Sequence, residues 1–447
     1  MNQIDPDLLA AVDWLRSFMP AADWSDRRSA LLGRMEGEAL TSFWIRDPSA
    51  LPEVGEDVSG LMLFIGEAAL QPSGGGWYDP MAGARYIPLL TSIGRRLGLA
   101  RSIAGIDDRA RRMMIEERSQ ADAGMFELLL ALSYAEQGWS DISFIPETKR
   151  RRLPDFSARR SRKTWSIEAK RMGAGPYREA ERAAFRALFE PVAHMVAERR
   201  RFLVIDVVFD SELHAVPANW LVETMERALR VGGLPLEMAD EFGRVSIRPI
   251  LTRTIDEFLE HDYLLFGDAR FVELALGEYD WHVNHLVAGD CPRHERWPRY
   301  ADVLGSSLLI GRWMSVGERA VEKRSRHFLR QLSDATDQLL DDMPGAVHVG
   351  LEALDGDYTE FRRDAKIQQR LATYDARGKP LVWIYCHLFR PLVPPDGGWT
   401  FDETTSFWRL RPHRYRHTLP ARTIVRPPGA PLRKGGHWRH AIDREDD

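Results

Sequence analysis

Apolar positions recur every three or four residues through much of the first hundred residues. In DPDLLAAVDWLRSFM (5–19), Leu8, Val12, Leu15 and Met19 fall on one helical face. QPSGGGWYDP (71–80) interrupts the pattern and predicts a loop; its glycines lack the lysine and Ser/Thr of a phosphate loop. Helical spacing resumes in YIPLLTSIGRRLGLARSIAGI (86–106). Residues 1–118 therefore predict a mainly helical region, acidic in its early part.

The pattern changes near Ser119. SQAD (119–122) places Ser119 as an N-cap with Asp122 three residues on. The helix that follows, AGMFELLLALSYAEQ, is apolar nearly all round, so it is expected to be buried, and Gly138 ends it. SDISFIPE (140–147), LPDFSA (153–158) and KTWSIEAK (163–170) predict three strands. PYREAERAAFRALFEPVAHMVAERRR (176–201) predicts a long helix with proline in its first turn. FLVIDVVF (202–209) is a continuous apolar run, the pattern of a strand covered on both faces. ANWLVETMERALRV and GRVSIRPIL continue as helix and strand.

The order helix, three strands, helix, strand defines a unit expected over 119–255. Residues 256–410 predict a further α/β region. SLLIGRWM, AVHVGLEAL and LVWIYCHLF read as strands, with helices over 318–342 and near 358–374. These strands either extend the same sheet or form a second one. Residues 411–447 are rich in arginine, proline and glycine without periodicity, and predict a flexible basic tail.

Composition narrows the class. A chain of 447 residues suggests two or three domains, and a hydrophobic content of 44% supports a sizeable core. Two cysteines, Cys291 and Cys386, imply no disulfide framework and fit a reducing, cytoplasmic setting. MNQIDPDLLA has no basic n-region or apolar h-region, so no signal peptide is expected. No stretch approaches the roughly 20 apolar residues of a membrane span. A net charge of −5 excludes a surface that is basic everywhere, so any polyanion site must be local.

One such locality is LPDFSARRSRKTWSIEAKR (153–171), where acids sit amid arginines. Only seven lysines occur in the chain, and Lys149, Lys163 and Lys170 all lie in or beside this stretch. Strand alternation puts Ser166, Glu168 and Lys170 on one face and Trp165, Ile167 and Ala169 on the other. It likewise sets Asp155 with Ser157, opposite Phe156. If the two strands form a hairpin, Asp155 and Glu168 come within coordination range of one cation. A hard divalent ion relieves their repulsion, acidifies a bound water and polarises a phosphate oxygen. A lysine beside it can orient that water or stabilise developing charge. The surrounding Arg150, Arg151, Arg152, Arg159, Arg160 and Arg162 would hold a phosphate backbone. The alternative is a solvated basic hairpin with scattered ions.

Pro154-Asp155, twelve residues, then Glu168-Ala169-Lys170 resembles the PD-(D/E)xK nuclease signature. The element order over roughly 119–210 resembles the restriction-endonuclease-like core, α-β-β-β-α-β. The resemblance implies that Asp155 and Glu168 bind Mg²⁺ or Mn²⁺, with the Ala169 carbonyl as a further ligand. It implies that Lys170 serves the nucleophile and that Glu127, a charge inside MFELLLAL, assists. The expected function is metal-dependent hydrolysis of nucleic acid, DNA rather than RNA, with no membrane partner; a homodimer is compatible. The alternative is a non-catalytic nucleic-acid-binding or sensing protein on the same fold.

Two weaker patterns remain. His282, His285, Cys291 and His294 have mixed spacing that can hold zinc, against a His-rich surface loop. Aromatic and arginine residues over 400–420 can stack on bases, against a core edge followed by a solvated tail.

Overall fold

The computed structural model describes residues 4–39, 43–71, 77–146, 152–173, 175–231, 233–396, 400–411, 419 and 422–438. Its first part is helical: α1 (Pro6–Arg16), α2 (Ala21–Ala39), strand β1 (Trp44–Arg46), α3 (Val58–Ala69), α4 (Pro80–Ala100), strand β2 (Ile103–Ala104) and α5 (Ile106–Ile115). Then come α6 (Ala121–Glu136), β3 (Ser140–Phe144), β4 (Phe156–Arg160) and β5 (Lys163–Met172). A long excursion follows. It holds α7 (Pro176–Glu198), β6 (Phe202–Phe209), α8 (Trp220–Val231), β7 (Leu236–Ala239), β8 (Gly243–Pro249), α9 (Arg253–Leu259), β9 (Leu264–Leu265), α10 (Ala269–Leu276), β10 (Asn284–Gly289), β11 (Tyr300–Ala301) and β12 (Leu308–Ser315). The chain ends in α11 (Glu318–Gln338), β13 (Gly345–Glu352), α12 (Asp357–Leu371), β14 (Leu381–Leu392) and β15 (Thr400–Arg409).

Two large mixed sheets organise these elements. One runs β15-β14-β13-β5-β4-β3-β2, and the other β1-β10-β12-β6-β8-β7. In the first, β3, β4 and β5 are antiparallel neighbours, and β13 and β14 continue parallel to β5. So the C-terminal strands extend the sheet that carries the 153–171 stretch. Trp165, Ile167 and Ala169 of β5 join the core built on α6 and α4. The opposite face packs Val347, Val349 and Ile384 against Phe328 and Leu332 of α11.

The sequence order ran this unit straight on through 176–209, and here the structure differs. β6 is central in the second sheet, between β12 and β8. The helix and strand that follow β5 in space are α11 and β13, reached only after the excursion. The reason is physical. FLVIDVVF suits any strand buried on both faces, and periodicity carries no information about which sheet accepts it. Burial of every residue in β13 shows the same pattern filling the position beside β5.

Two smaller differences concern ends. Ser119 lies in a 3₁₀ turn, α6 starts at Ala121 with no side-chain cap, and Asp122 pairs with Arg85 of α4 at 2.6 Å. Among the described residues of 411–447, Leu419, Ile424, Val425 and Trp438 are buried. The chain there is irregular rather than free. The Glu403 carboxylate accepts the Ile424 and Val425 amides at 2.7 and 2.9 Å, so side chains replace the ladder that periodicity would have signalled. No described helix is long and apolar enough to cross a membrane.

Candidate functional site

The hairpin forms with Phe156 opposite Ile167 and Arg160 opposite Lys163. Asp155 stands just before β4, one step beyond the Phe156–Ile167 pair, and so comes level with Glu168. Its Oδ2 accepts the Ala169 amide at 2.6 Å, which ties the acid to the neighbouring strand. Glu168 is completely buried, and the Lys170 ammonium ion-pairs with its Oε1. Besides Lys170, the Asp155 carboxyl hydrogen-bonds the Glu168 carboxylate, and neither Glu168 oxygen has a further partner among the described residues.

Glu127 comes from the middle of α6. It is near enough to both strand acids for its charge to oppose their ionisation. Burial, then the Glu127 and Glu168 charges, push the Asp155 carboxyl well above its usual range, against the pull of Lys170 and the Ala169 amide. Burial pushes Glu168 up to about 7, although Lys170 works against it. Burial disfavours the Lys170 ammonium, but Glu168 and Asp155 outweigh it and hold the ammonium charged. The structure thus brings Asp155, Glu168, Lys170 and Glu127 into one electrostatic unit.

Sequence reasoning missed a fifth member, Arg109 of α5. It is almost fully buried and grips Glu127 through two nitrogens, Nε and Nη2, the latter 3.0 Å from Oε1. Its Nη1 meets Glu117 at 2.9 Å. Burial opposes its charge, yet Glu127, Glu117 and Asp155 together raise its pKa. The available signal was its place on the strongly amphipathic helix IDDRARRMMI, in line with Met113 on the buried face.

The arginines divide. Arg150 and Arg151 lie outside the described residues. Arg152 is exposed on the acid side of the hairpin. Arg159, Arg160 and Arg162 lie at the other end, by the 161–162 turn. Arg160 pairs with Lys163 five residues from the Asp155 level, roughly 17 Å along the strands. Arg159 pairs with Asp141. Arg160 donates to the Gln137 carbonyl at 2.9 Å and to that of Gly138, satisfying the end of α6. The expectation that these three crowd the metal acids is therefore corrected. A hairpin reverses the chain, so residues close in sequence to Asp155 end a strand length away.

The four zinc candidates do not converge. His282 pairs with Asp357 at 3.3 Å, while His285 is buried in β10 and stacked on Tyr279. Burial lowers the His285 pKa to about 4 and raises the Cys291 thiol to about 12. His294 Nδ1 accepts the Trp297 amide at 3.1 Å. Among the described residues no group of three or more His, Cys, Asp or Glu side chains is arranged to hold a metal.

The Asp155–Glu168 pair still fits a hard cation. Two carboxylates face one another, one of them short of donors, and the Ala169 carbonyl lies on the same strand. Mg²⁺ needs only one or two carboxylates and keeps several waters. Glu127 is already committed to Arg109. A pH test follows. Without metal, stability tied to Glu168 is fully present below its unfolded pKa of about 4.5 and is lost as pH rises through about 7. In EDTA, Glu168→Gln is expected to melt with the wild type at pH 5 and about 3 °C above it at pH 8. Parallel pH profiles for the two proteins would show that Glu168 ionises freely.

Set beside known proteins, the chain matches no family model, no curated protein and no solved structure.

Proposed function

We propose that the protein is a metal-dependent nuclease of PD-(D/E)xK type, built on a restriction-endonuclease-like core interrupted by the 173–317 excursion. The observation that carries this reading is the buried Glu168 carboxylate, short of donors, level with Asp155 and touched by Lys170. Support also comes from the order α6, β3, β4, β5, then α11 and β13, which reproduces helix, three strands, helix, strand within one sheet.

Asp155, Glu168 and the Ala169 carbonyl would hold Mg²⁺ or Mn²⁺. When bound, the ion supplies a more acidic water and polarises a phosphate oxygen. Lys170 lies where it can orient the attacking water or meet charge growing on the phosphoryl oxygens. Arg109 keeps Glu127 from adding a third full negative charge beside the pair. DNA is the expected substrate.

The test is incubation with plasmid, linear duplex, single strands and RNA, in Mg²⁺ and then in EDTA. Cleavage of at least one substrate in Mg²⁺, stopped by EDTA, is expected. No cleavage of any substrate in Mg²⁺ or Mn²⁺ would overturn the reading. One observation favours a second reading, a nucleic-acid-binding protein without catalysis: Glu127 is engaged by Arg109, so the described acids offer no third ligand. Calorimetry with Mn²⁺ separates the two, since only the enzyme requires binding at the Asp155–Glu168 pair.

A further inference from the structure

A large cleft lies away from the acid pair. It has a volume of about 1230 Å³ and opens where the end of β14 and the start of β15 meet α4, the second sheet and residues 423–437. That exceeds the ~300–1,000 Å³ of a small-molecule pocket. Its polar groups are unevenly satisfied. Of the lining acids, Glu403 accepts the Ile424 and Val425 amides, Asp357 holds Arg390 at 2.8 Å, Asp5 caps α1, and Asp280 accepts the His282 amide. Only Asp402 has no partner among the described residues.

Of the cations, Arg390 is held by Asp357 and Arg426 donates to the Ala430 carbonyl at 2.9 Å, but the others are open. Arg244, Arg433 and Lys434 have no partner among the described residues. Arg95 hydrogen-bonds the Arg426 carbonyl at 3.4 Å and feels the Glu136 and Asp7 charges, but its Nε is buried without an acceptor. His437 Nε2, also on the lining, is likewise buried and unpartnered. A buried donor without an acceptor is costly, so the cleft is suited to receive acceptor oxygens. Trp281 and Tyr358 add ring faces to the same wall, Tyr358 with 43% of its surface exposed.

Donors that lack acceptors, next to accessible rings, are the requirements of single-stranded nucleic acid, which combines phosphates with stackable bases. A duplex keeps its base faces stacked inside the helix, so exposed rings suit a single strand better. We propose that this cleft binds a single-stranded segment of the nucleic-acid substrate, its phosphates on Arg95, Arg433 and Lys434 and a base on Trp281. The proposal rests on the nuclease reading for its choice of polyanion. The strand register gives the separation between the two sites. Lys170 is level with Val349 and Cys386, and Arg390 at the cleft floor lies two strands across and four residues on. That is roughly 16 Å, or about five stacked nucleotides.

The experiment measures binding of a fluorescent twelve-nucleotide oligo(dT) to the full chain in EDTA, so that no cleavage intervenes. The triple variant R95Q/R433Q/K434Q is expected to bind at least tenfold more weakly, with a salt slope shallower by about 2. W281L keeps every charge and is expected to lose about fivefold or more. Arg253→Gln, on the exposed face of α9 and outside both sites, is expected to bind within twofold of wild type, and a duplex competitor to displace the oligonucleotide poorly. Wild-type affinity in both cleft variants, or no binding of oligo(dT) by the wild type, would overturn the proposal. The plasmid assay keeps the two readings apart. Cleavage with cleft-independent binding sinks the cleft alone, whereas cleft-dependent binding without cleavage sinks the nuclease alone.

Discussion

Asp155→Asn and Glu168→Gln are each expected to lower the cleavage rate by about 10³-fold or more, a loss of roughly 4 kcal/mol in transition-state stabilisation. Both substitutions keep the shape of the side chain and remove its charge. The carboxamide oxygen introduced by Asp155→Asn would still accept the Ala169 amide, which Asp155 receives at 2.6 Å, whereas Asp155→Ala would strand that donor and cost about 1 kcal/mol of stability. The amide variants therefore separate chemistry from folding. Neither is expected to unfold the protein, because burial already opposes ionisation of both acids in the folded chain. Calorimetry should show Mn²⁺ binding weakened in both. Wild-type turnover in either variant would remove that residue from the site.

Arg109→Met is expected to be the most destabilising single change near the site, by about 3–5 kcal/mol in chemical denaturation at pH 7. Arg109 and Glu127 are both nearly buried, so removing the cation leaves a carboxylate in low dielectric with two further acids beside it. Converting both members to methionine is expected to recover most of that loss, since the pair's mutual attraction mainly offsets its own desolvation. If Arg109→Met and the double variant were equally unstable, the cost would be lost packing and the ion pair would carry little. A structural role alone predicts unchanged metal affinity in any folded Arg109 variant. An electrostatic role predicts that the freed Glu127 charge attracts the cation, so Arg109→Gln should bind Mn²⁺ several-fold more tightly.

The hairpin, the alternation that sets Glu168 beside Lys170, and the buried helix carrying Glu127 were all legible in the sequence. The strands depend on a period of two and the helix on a largely apolar run of 16 residues, and such local patterns are what a linear sequence records. The pairing of Asp155 with Glu168 needed one further assumption, that adjacent strands form a hairpin, and the short connection at 161–162 makes that the natural outcome.

What only the tertiary structure decided involves long separations. β13, more than 170 residues after β5, takes the place beside it that β6 was expected to fill, because both runs are apolar and sheet membership is settled by what else must be buried. Arg109 reaches Glu127 from another helix, and a basic helix position looks the same in sequence whether it meets solvent or a buried acid. The hairpin turn carries Arg159, Arg160 and Arg162 away from the acids they adjoin in the chain. Residues 422–438 hold to the core through Glu403 and buried apolar anchors, contacts with no repeat to announce them. Sequence spacing determined which side chains share a strand face, and packing of distant segments determined which charges that face would meet.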